Sequence, residues 1–240
     1  LDGFRRENPL PFFFFFVKLA RFIRARQISL IHANRLPDAF YAILPAKLAR
    51  VPFVIHHRDT SRFSAIDRLI VENAECNVCI SSWQNQNFLG GKGTLVPNGI
   101  DLSHFRPSAA GRNGPSTAPV IGLLGRVTPI KGQQTFVDAA KLVLAERPEC
   151  RFVMAGETLT ASDRVFKEQI EAEIRAAGLT EQIRFAGQVE DVAAFLRGID
   201  ISVVPSQREP FGRVIIESMA MEIPVIASGI GGPLDIITPE

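Results

Sequence analysis

The chain has 240 residues, 46% of them hydrophobic and 22% charged, which fits a soluble globular protein longer than one typical domain and excludes the disordered and fibrous classes. Net charge is only +2, yet residues 1–100 carry 13 basic and 7 acidic side chains while residues 101–240 carry 14 and 18. Two units with different electrostatic tasks are expected, and neither is basic enough for a general nucleic-acid binder.

The run from Phe12 to Phe16 looks like a signal-peptide core, but Lys18, Arg21, Arg24 and Arg26 follow it where a small-residue cleavage site would stand, so export is not expected. A helix is predicted over 17–27, with Val17, Leu19, Ala20, Phe22 and Ile23 beside that basic set. Its plainer role is a domain helix with a solvated basic face; the other is an interfacial helix on anionic lipid. No apolar run approaches the roughly 20 residues of a spanning helix. A cytoplasmic protein is expected, with peripheral contact at the inner face of the membrane as the second possibility.

Strands are predicted at 29–33, 52–56, 77–80 and 94–96. Between them, Phe40, Ile43, Leu44, Lys47 and Leu48 share one helical face, and Ile66, Leu69, Ile70 and Asn73 another. Cys76 and Cys79 form a lone CxxC; the other cysteine is Cys150, and His32, His56, His57 and His104 lack metal-ligand spacing. Reduced, buried thiols are expected, with neither a metal site nor a disulfide framework.

A Pro/Gly/Ser-rich stretch at 107–118 reads as a linker between a first domain, 1–106, and a second, 119–240. The second domain repeats the alternation, with strands at 120–125, 151–156, 183–187, 201–204 and 224–227. Its helices carry the stripes Phe136, Ala140, Val143, Leu144 and Phe166, Ile170, Ile174, Ala177. The expected class is α/β: two Rossmann-like domains built on parallel sheets. The chain starts on Leu1 and ends soon after a strand and a glycine-rich turn, so both domains are expected to be incomplete.

Ligands of open α/β sheets sit beyond the carboxyl ends of the strands. Two such loops carry chemistry. Residues 125–132 read Gly-Arg-Val-Thr-Pro-Ile-Lys-Gly and enter a helix; the glycines permit close backbone approach, and Arg126 and Lys131 add charge at a helix N-terminus that favours anions. The order Lys131-Gly132 is not a Walker A loop, and no GxGxxG opens the domain. Residues 206–212 read Ser-Gln-Arg-Glu-Pro-Phe-Gly and enter a helix containing Glu217. Glu209 and Glu217, eight positions apart, lie too far from one another to share a proton, and suit separate hydroxyl-bearing parts of a long ligand such as a nucleoside diphosphate sugar.

Glu209-Pro210-Phe211-Gly212 with Glu217 resembles the E-x7-E motif of retaining GT-B glycosyltransferases, in particular glycosyltransferase family 4. Gly125-Arg126 with Lys131-Gly132 resembles that family's diphosphate loop, and Ala227-Ser228 with Gly229, Gly231 and Gly232 its glycine-rich turn. Val96-Pro97-Asn98-Gly99-Ile100-Asp101 with Phe105-Arg106-Pro107 resembles its interdomain segment. The resemblance covers about residues 28–240, and it implies two sheets facing a cleft and retaining transfer of a sugar from a nucleoside diphosphate donor, uridine being the commoner base. The acceptor it implies is a glycan or a lipid-linked precursor of cell-surface polysaccharide, and it implies neither metal ion nor cofactor.

By the same resemblance, Gly125, Arg126 and Lys131 hold the diphosphate, and Arg126 and Lys131 stabilise the leaving group. Glu209 holds the transferred sugar, Glu217 the ribose, amides near Phe211 and Gly212 the sugar or phosphate, and the loop at Val189 the base. On the acceptor side, the family's histidine after the second strand corresponds to His57 or, at the strictest spacing, Arg58. Two rival functions remain: a non-catalytic sugar-nucleotide-binding module, and another GT-B activity such as a phosphorylase or sugar-nucleotide epimerase.

Overall fold

The computed structural model describes residues 10–59, 63–107 and 118–238. The expected linker at 107–118 lies, apart from its two end residues, outside them. Two compact units form, Leu1–Pro97 and Asn98–Glu240. The boundary therefore falls earlier than the expected 106: Phe105 is buried against Ala193, Leu196, Ile199, Met221 and Ile223, with Ile100 beside it, so 98–106 packs with the second unit.

The first unit is a four-stranded parallel sheet in the order β1 (Ile31–Ala33), β2 (Phe53–His57), β3 (Cys76–Cys79) and β4 (Thr94–Leu95). Its helices are α1 (Leu10–Ala25), α2 (Leu36–Ala49), α3 (Ala65–Glu72) and α4 (Ser82–Leu89). Helix α1 begins seven residues before the expected start, because Pro11 in its first turn lacks only a hydrogen bond that no helix makes there, and Phe13 to Phe16 continue the spiral. It ends where Gln27 takes a left-handed φ of 52°.

Of the apolar α2 face read from the sequence, only Ile43 packs on the core. Phe40, Leu44 and Leu48 are exposed, and the small residues Ala39 and Ala46, with Leu36, pack on Phe53 and Ile55. In α3, likewise, Ile70 is buried while Ile66 and Leu69 are exposed. Helix α4 was missed, since Ser-Trp-Gln-Asn-Gln-Asn-Phe-Leu shows no apolar period; it starts on a cap in which the Ser81 hydroxyl accepts from the Gln84 amide. The cysteines are free thiols, with Cys79 and Cys150 buried; burial pushes the Cys79 thiol up to about 11.

The second unit has β5 (Val120–Leu124), α5 (Gln133–Glu146), β6 (Arg151–Ala155), α6 (Ala161–Ala176), β7 (Ile183–Gly187), α7 (Val192–Arg197), β8 (Ile201–Val204), α8 (Arg213–Ala220) and β9 (Val225–Ala227). All strands are parallel, in the order β7-β6-β5-β8-β9. Strand side chains alternate between faces. Ile121 and Leu123 point into a core with Phe136, Val137, Ile170 and Ile174 from α5 and α6. Gly122 faces the other way, against Ile199, where a Cβ would meet that side chain at 2.7 Å. Of the expected stripes on α5 and α6, Phe136, Ala140, Leu144, Ile170 and Ile174 are buried and Phe166 is half-buried, while Val143 and Ala177 are exposed. Strand order runs outward from β5 on one side through β6 and β7, and on the other through β8 and β9, so the chain reverses direction across the sheet between β5 and β8. That reversal opens the crevice in which ligands of such sheets bind.

Candidate functional site

Both expected loops leave the strands at this reversal. After β5, the Gly125 amide donates to the Ala155 carbonyl at 2.9 Å and the Val127 amide to the Glu157 carbonyl at 2.9 Å, so the loop runs beside the end of β6. A side chain at Gly156, φ 150°, would place its Cβ 2.0 Å from the Gly125 oxygen. A 3-10 turn, Pro129–Lys131, then leads to Gly132, whose φ is 77° and whose Cβ position lies 2.0 Å from the Pro205 oxygen of the β8 loop. Only glycine fits either approach.

The fully buried Gln133 closes the first loop from beneath. Its Nε2 donates to the Arg126 carbonyl at 2.9 Å and its Oε1 accepts from the Thr128 amide at 3.4 Å. The Thr128 hydroxyl reaches the Asp163 carboxylate on α6. Sequence reading passed over Gln133, Thr128 and Asp163; the signal available was a polar residue at a helix position that the stripe Phe136, Ala140, Leu144 turns inward.

The two loops are joined directly. The Gln207 amide donates to the Ile130 carbonyl at 2.8 Å, and Lys131 Nζ lies 2.6 Å from Glu209 Oε2. The buried Ser206 hydroxyl donates to the same oxygen at 3.3 Å. Lys131 and Glu209, expected at different parts of one ligand, thus neutralise each other. The turn after β9 holds the Glu209 segment from the other side: the Gly232 amide donates to the Glu209 carbonyl at 2.9 Å, and a Cβ at Gly231 would stand 2.4 Å from that oxygen.

Glu217 is buried on α8, with Arg213 Nη2 3.0 Å from its Oε1. Burial raises the Glu217 carboxyl above its ordinary value, and the Arg213 charge opposes that rise. Gly125 is half-buried and Arg126 exposed, while Phe211 and Gly212 are buried at the start of α8. Val189 is half-buried in the loop after β7, three strands from β8 and so roughly 14 Å away at about 4.8 Å per strand.

Helix starts differ in a telling way. Helices α3, α4, α6 and α7 are capped by Ser64, Ser81, Thr160 and Asp191, whereas α5 and α8 begin on Gly132 and Gly212 with no side-chain cap and no acid in the first turn. At both, no acidic side chain of the helix's own first turn offsets the positive dipole end.

In the first unit, His57 and Arg58 stand at the carboxyl end of β2. His57 is buried, its Nε2 3.0 Å from Asn77 Oδ1 and its ring against Phe63, while Arg58 is exposed. The adjacent His56 is also buried, stacks on His32 at 5.5 Å between centroids, and has an Nε2 without a hydrogen-bond partner. Burial depresses both; the neighbouring Arg58 charge lowers His56 further, and Asn77 partly restores His57. No group of three or more metal-ligating side chains occurs among the described residues.

Comparison with known proteins is consistent across both units. The family model described as "Glycosyl transferases group 1" matches residues 108–240, more than half of the chain, and that of "Glycosyltransferase Family 4" matches residues 2–104. The lipopolysaccharide core biosynthesis mannosyltransferase LpcC of Rhizobium leguminosarum bv. viciae is 29% identical over 213 residues, covering 86% of this chain and 60% of the relative. A D-inositol 3-phosphate glycosyltransferase of Thermobispora bispora is 35% identical over 150 residues, 58% of this chain and 35% of the relative. The crystal structure of Anabaena Alr3699/HepE in complex with UDP and glucose superposes with a TM-score of 0.80 at 24% identity, over 93% of this chain and 65% of that one, a likeness of fold. The chain thus spans about 60% of the length of LpcC.

Two outcomes test the geometry. Gly132→Ala combines a left-handed φ with the Pro205 clash, while Gly178→Ala has φ 69° and nothing within 4 Å of the Cβ. Urea unfolding should show Gly178→Ala losing about 1–2 kcal/mol from φ alone, and Gly132→Ala losing clearly more. For His56 and His57, the unfolded chain takes up protons near the ordinary 6.5 that the folded unit resists. Stability present above that pH is therefore lost as the pH falls through the depressed values. Denaturant titrations at pH 7.5 and 5.5 should show that loss in the wild type and a shallower one in the His56→Gln, His57→Gln double variant.

Proposed function

Because the chain belongs to the glycosyl transferases group 1 family and has the α/β fold of GT-B glycosyltransferases, we propose that its second unit binds a nucleoside diphosphate sugar and that the protein transfers the sugar to a glycan or lipid-linked acceptor with retention of configuration. The observation that carries this proposal is the Lys131–Glu209 pair, 2.6 Å apart, between two loops that each lead into an uncapped helix. A cation, a carboxylate and two free helix N-termini fit a ligand that has a diphosphate next to a polyol.

In this reading the diphosphate takes Lys131 from Glu209 and is also held by Arg126, while the backbone at Gly125 stays open for its approach. Glu209, released, accepts hydroxyls of the transferred sugar, and Ser206 holds the carboxylate in place. Amides at Phe211 and Gly212 add donors beside the phosphates. Glu217 takes the ribose hydroxyls, and the loop at Val189 lies along the sheet edge at a distance suited to the base. As the bond to the sugar breaks, negative charge builds on the leaving diphosphate, where Arg126, the released Lys131 and the helix ends supply positive charge that lowers the barrier. Uridine is the base we favour, since UDP occupies the Alr3699/HepE structure. The charge supplied by Lys131 and Arg126 makes a metal ion unnecessary in this scheme.

For the acceptor side, Arg58 is the better candidate than His57, whose Nε2 is engaged by Asn77. Helix α1 carries Phe14, Lys18, Arg21 and Phe22 on one exposed stripe, a surface compatible with peripheral approach to a membrane-borne acceptor. Among the described residues no helix is long and apolar enough to cross a membrane.

Calorimetry with UDP, GDP and ADP tests the donor site. One nucleotide should bind, and Arg126→Ala or Lys131→Ala should cost about 2–5 kcal/mol, roughly 30-fold or more in Kd. Equal and weak binding of all three, unchanged by either substitution in a folded protein, contradicts the assignment. Release of nucleotide from the matching sugar nucleotide, with or without acceptor, separates a transferase from a binding module.

A further inference from the structure

Arg213 is misplaced for a helix residue. It is the first residue of α8, where a cation opposes the helix dipole, and it pairs with Glu217 four positions on, in the reverse of the order that stabilises helices. The side chain is 62% exposed, so packing does not explain it either. Its partner is the reverse case. The Glu217 side chain is only 6% exposed, on the inner face of a helix packed on β8 and β9. Those strands read Ile-Ser-Val-Val and Val-Ile-Ala and present no ionisable group to it. A carboxyl in such surroundings tends to take up a proton, and a protonated carboxyl is a poorer acceptor for a pair of hydroxyls. Local rules broken without a structural return tend to mark functional positions.

From this geometry we infer that Arg213 is a positioning residue for nucleotide binding: it does not touch the ligand, but holds Glu217 ionised and fixes one carboxylate oxygen, so that the other is presented to a vicinal diol of the nucleoside. The inference rests on the donor-site assignment of Glu217 proposed above. It specifies a ligand with two adjacent hydroxyls, the ribose and not the deoxyribose form.

The test is calorimetry of UDP and 2′-deoxy-UDP with the 240-residue chain at pH 5.5 and pH 8, for the wild type and for Arg213→Ala, Arg213→Lys, Glu217→Gln and the Arg213→Ala, Glu217→Gln double variant. Since the same ligands are used throughout, their own titration cancels between variants. Arg213→Ala should bind UDP more weakly than wild type at pH 8, where the carboxylate is no longer fixed, and more weakly again at pH 5.5, where more of it is protonated. Arg213→Lys should restore most of the low-pH affinity. The double variant should bind no more weakly than Glu217→Gln, and Glu217→Gln should lose most of the preference for UDP over its 2′-deoxy form. A further loss when Arg213→Ala is added to Glu217→Gln means that Arg213 meets the ligand itself, and a loss no larger at pH 5.5 than at pH 8 means that it does not hold Glu217 ionised; either overturns the positioning role while leaving the donor site standing. If a folded Glu217→Gln binds UDP as the wild type does, the donor-site assignment of Glu217 fails, and the inference with it.

Discussion

The second unit depends on how closely three backbone segments approach one another at one edge of its sheet. Where strand order reverses between β5 and β8, the loops must diverge to leave a crevice, yet be braced so that the side chains on them hold fixed positions. Glycine at 132, 156 and 231 permits this, because each sits where a Cβ would fall 2.0–2.4 Å from a neighbouring carbonyl oxygen. Through these contacts the β5 loop rests on the end of β6 and on Pro205, and the Glu209 segment rests on the turn after β9. A larger residue at any of them would push apart the segments that carry Arg126, Lys131 and Glu209.

On this braced edge two helix starts and one ion pair set the electrostatics. The two helices that begin there lack side-chain caps, as does α2 on Arg35, whereas α3, α4, α6 and α7 are capped by Ser, Thr or Asp. Lys131 and Glu209 pair with each other, which limits the cost of holding two charges in a partly buried place. In the proposed donor complex a diphosphate and a sugar would give each of them a better-matched partner, and binding of the two parts would be coupled through the one ion pair that must open.

Much of this was legible in the amino-acid sequence. The strands of the second unit were found within a residue or so of their ends, because buried parallel strands are short β-branched runs bounded by Gly and Pro. The loops and the two glutamates were found through residue type and spacing. The supporting contacts were not, since a Gln at position 133 or a Thr at position 128 looks like any surface polar residue until the opposite loop is in place. In the first unit the apolar faces of α2 and α3 read from the sequence meet the core only through Ile43 and Ile70: large apolar side chains drew the helical stripe toward Phe40 and Leu44, whereas close packing on β2 required the alanines. Arg213 was legible as a residue but not as an anomaly, because its partner's burial is a tertiary fact. The earlier unit boundary has the same origin, as nothing local marks Phe105 for a core formed by residues some ninety positions later.

In the proposed complex Lys131 and Glu209 exchange one another for the two halves of one ligand. A crystal structure of the chain with the nucleoside diphosphate that binds most tightly, compared with the ligand-free crystal, tests it most directly. The account predicts the diphosphate between the β5 loop and the start of α8, with Lys131 Nζ on a phosphate oxygen and the 2.6 Å contact to Glu209 opened. A diphosphate bound away from both loops, or bound there with the Lys131–Glu209 pair still closed, would contradict it.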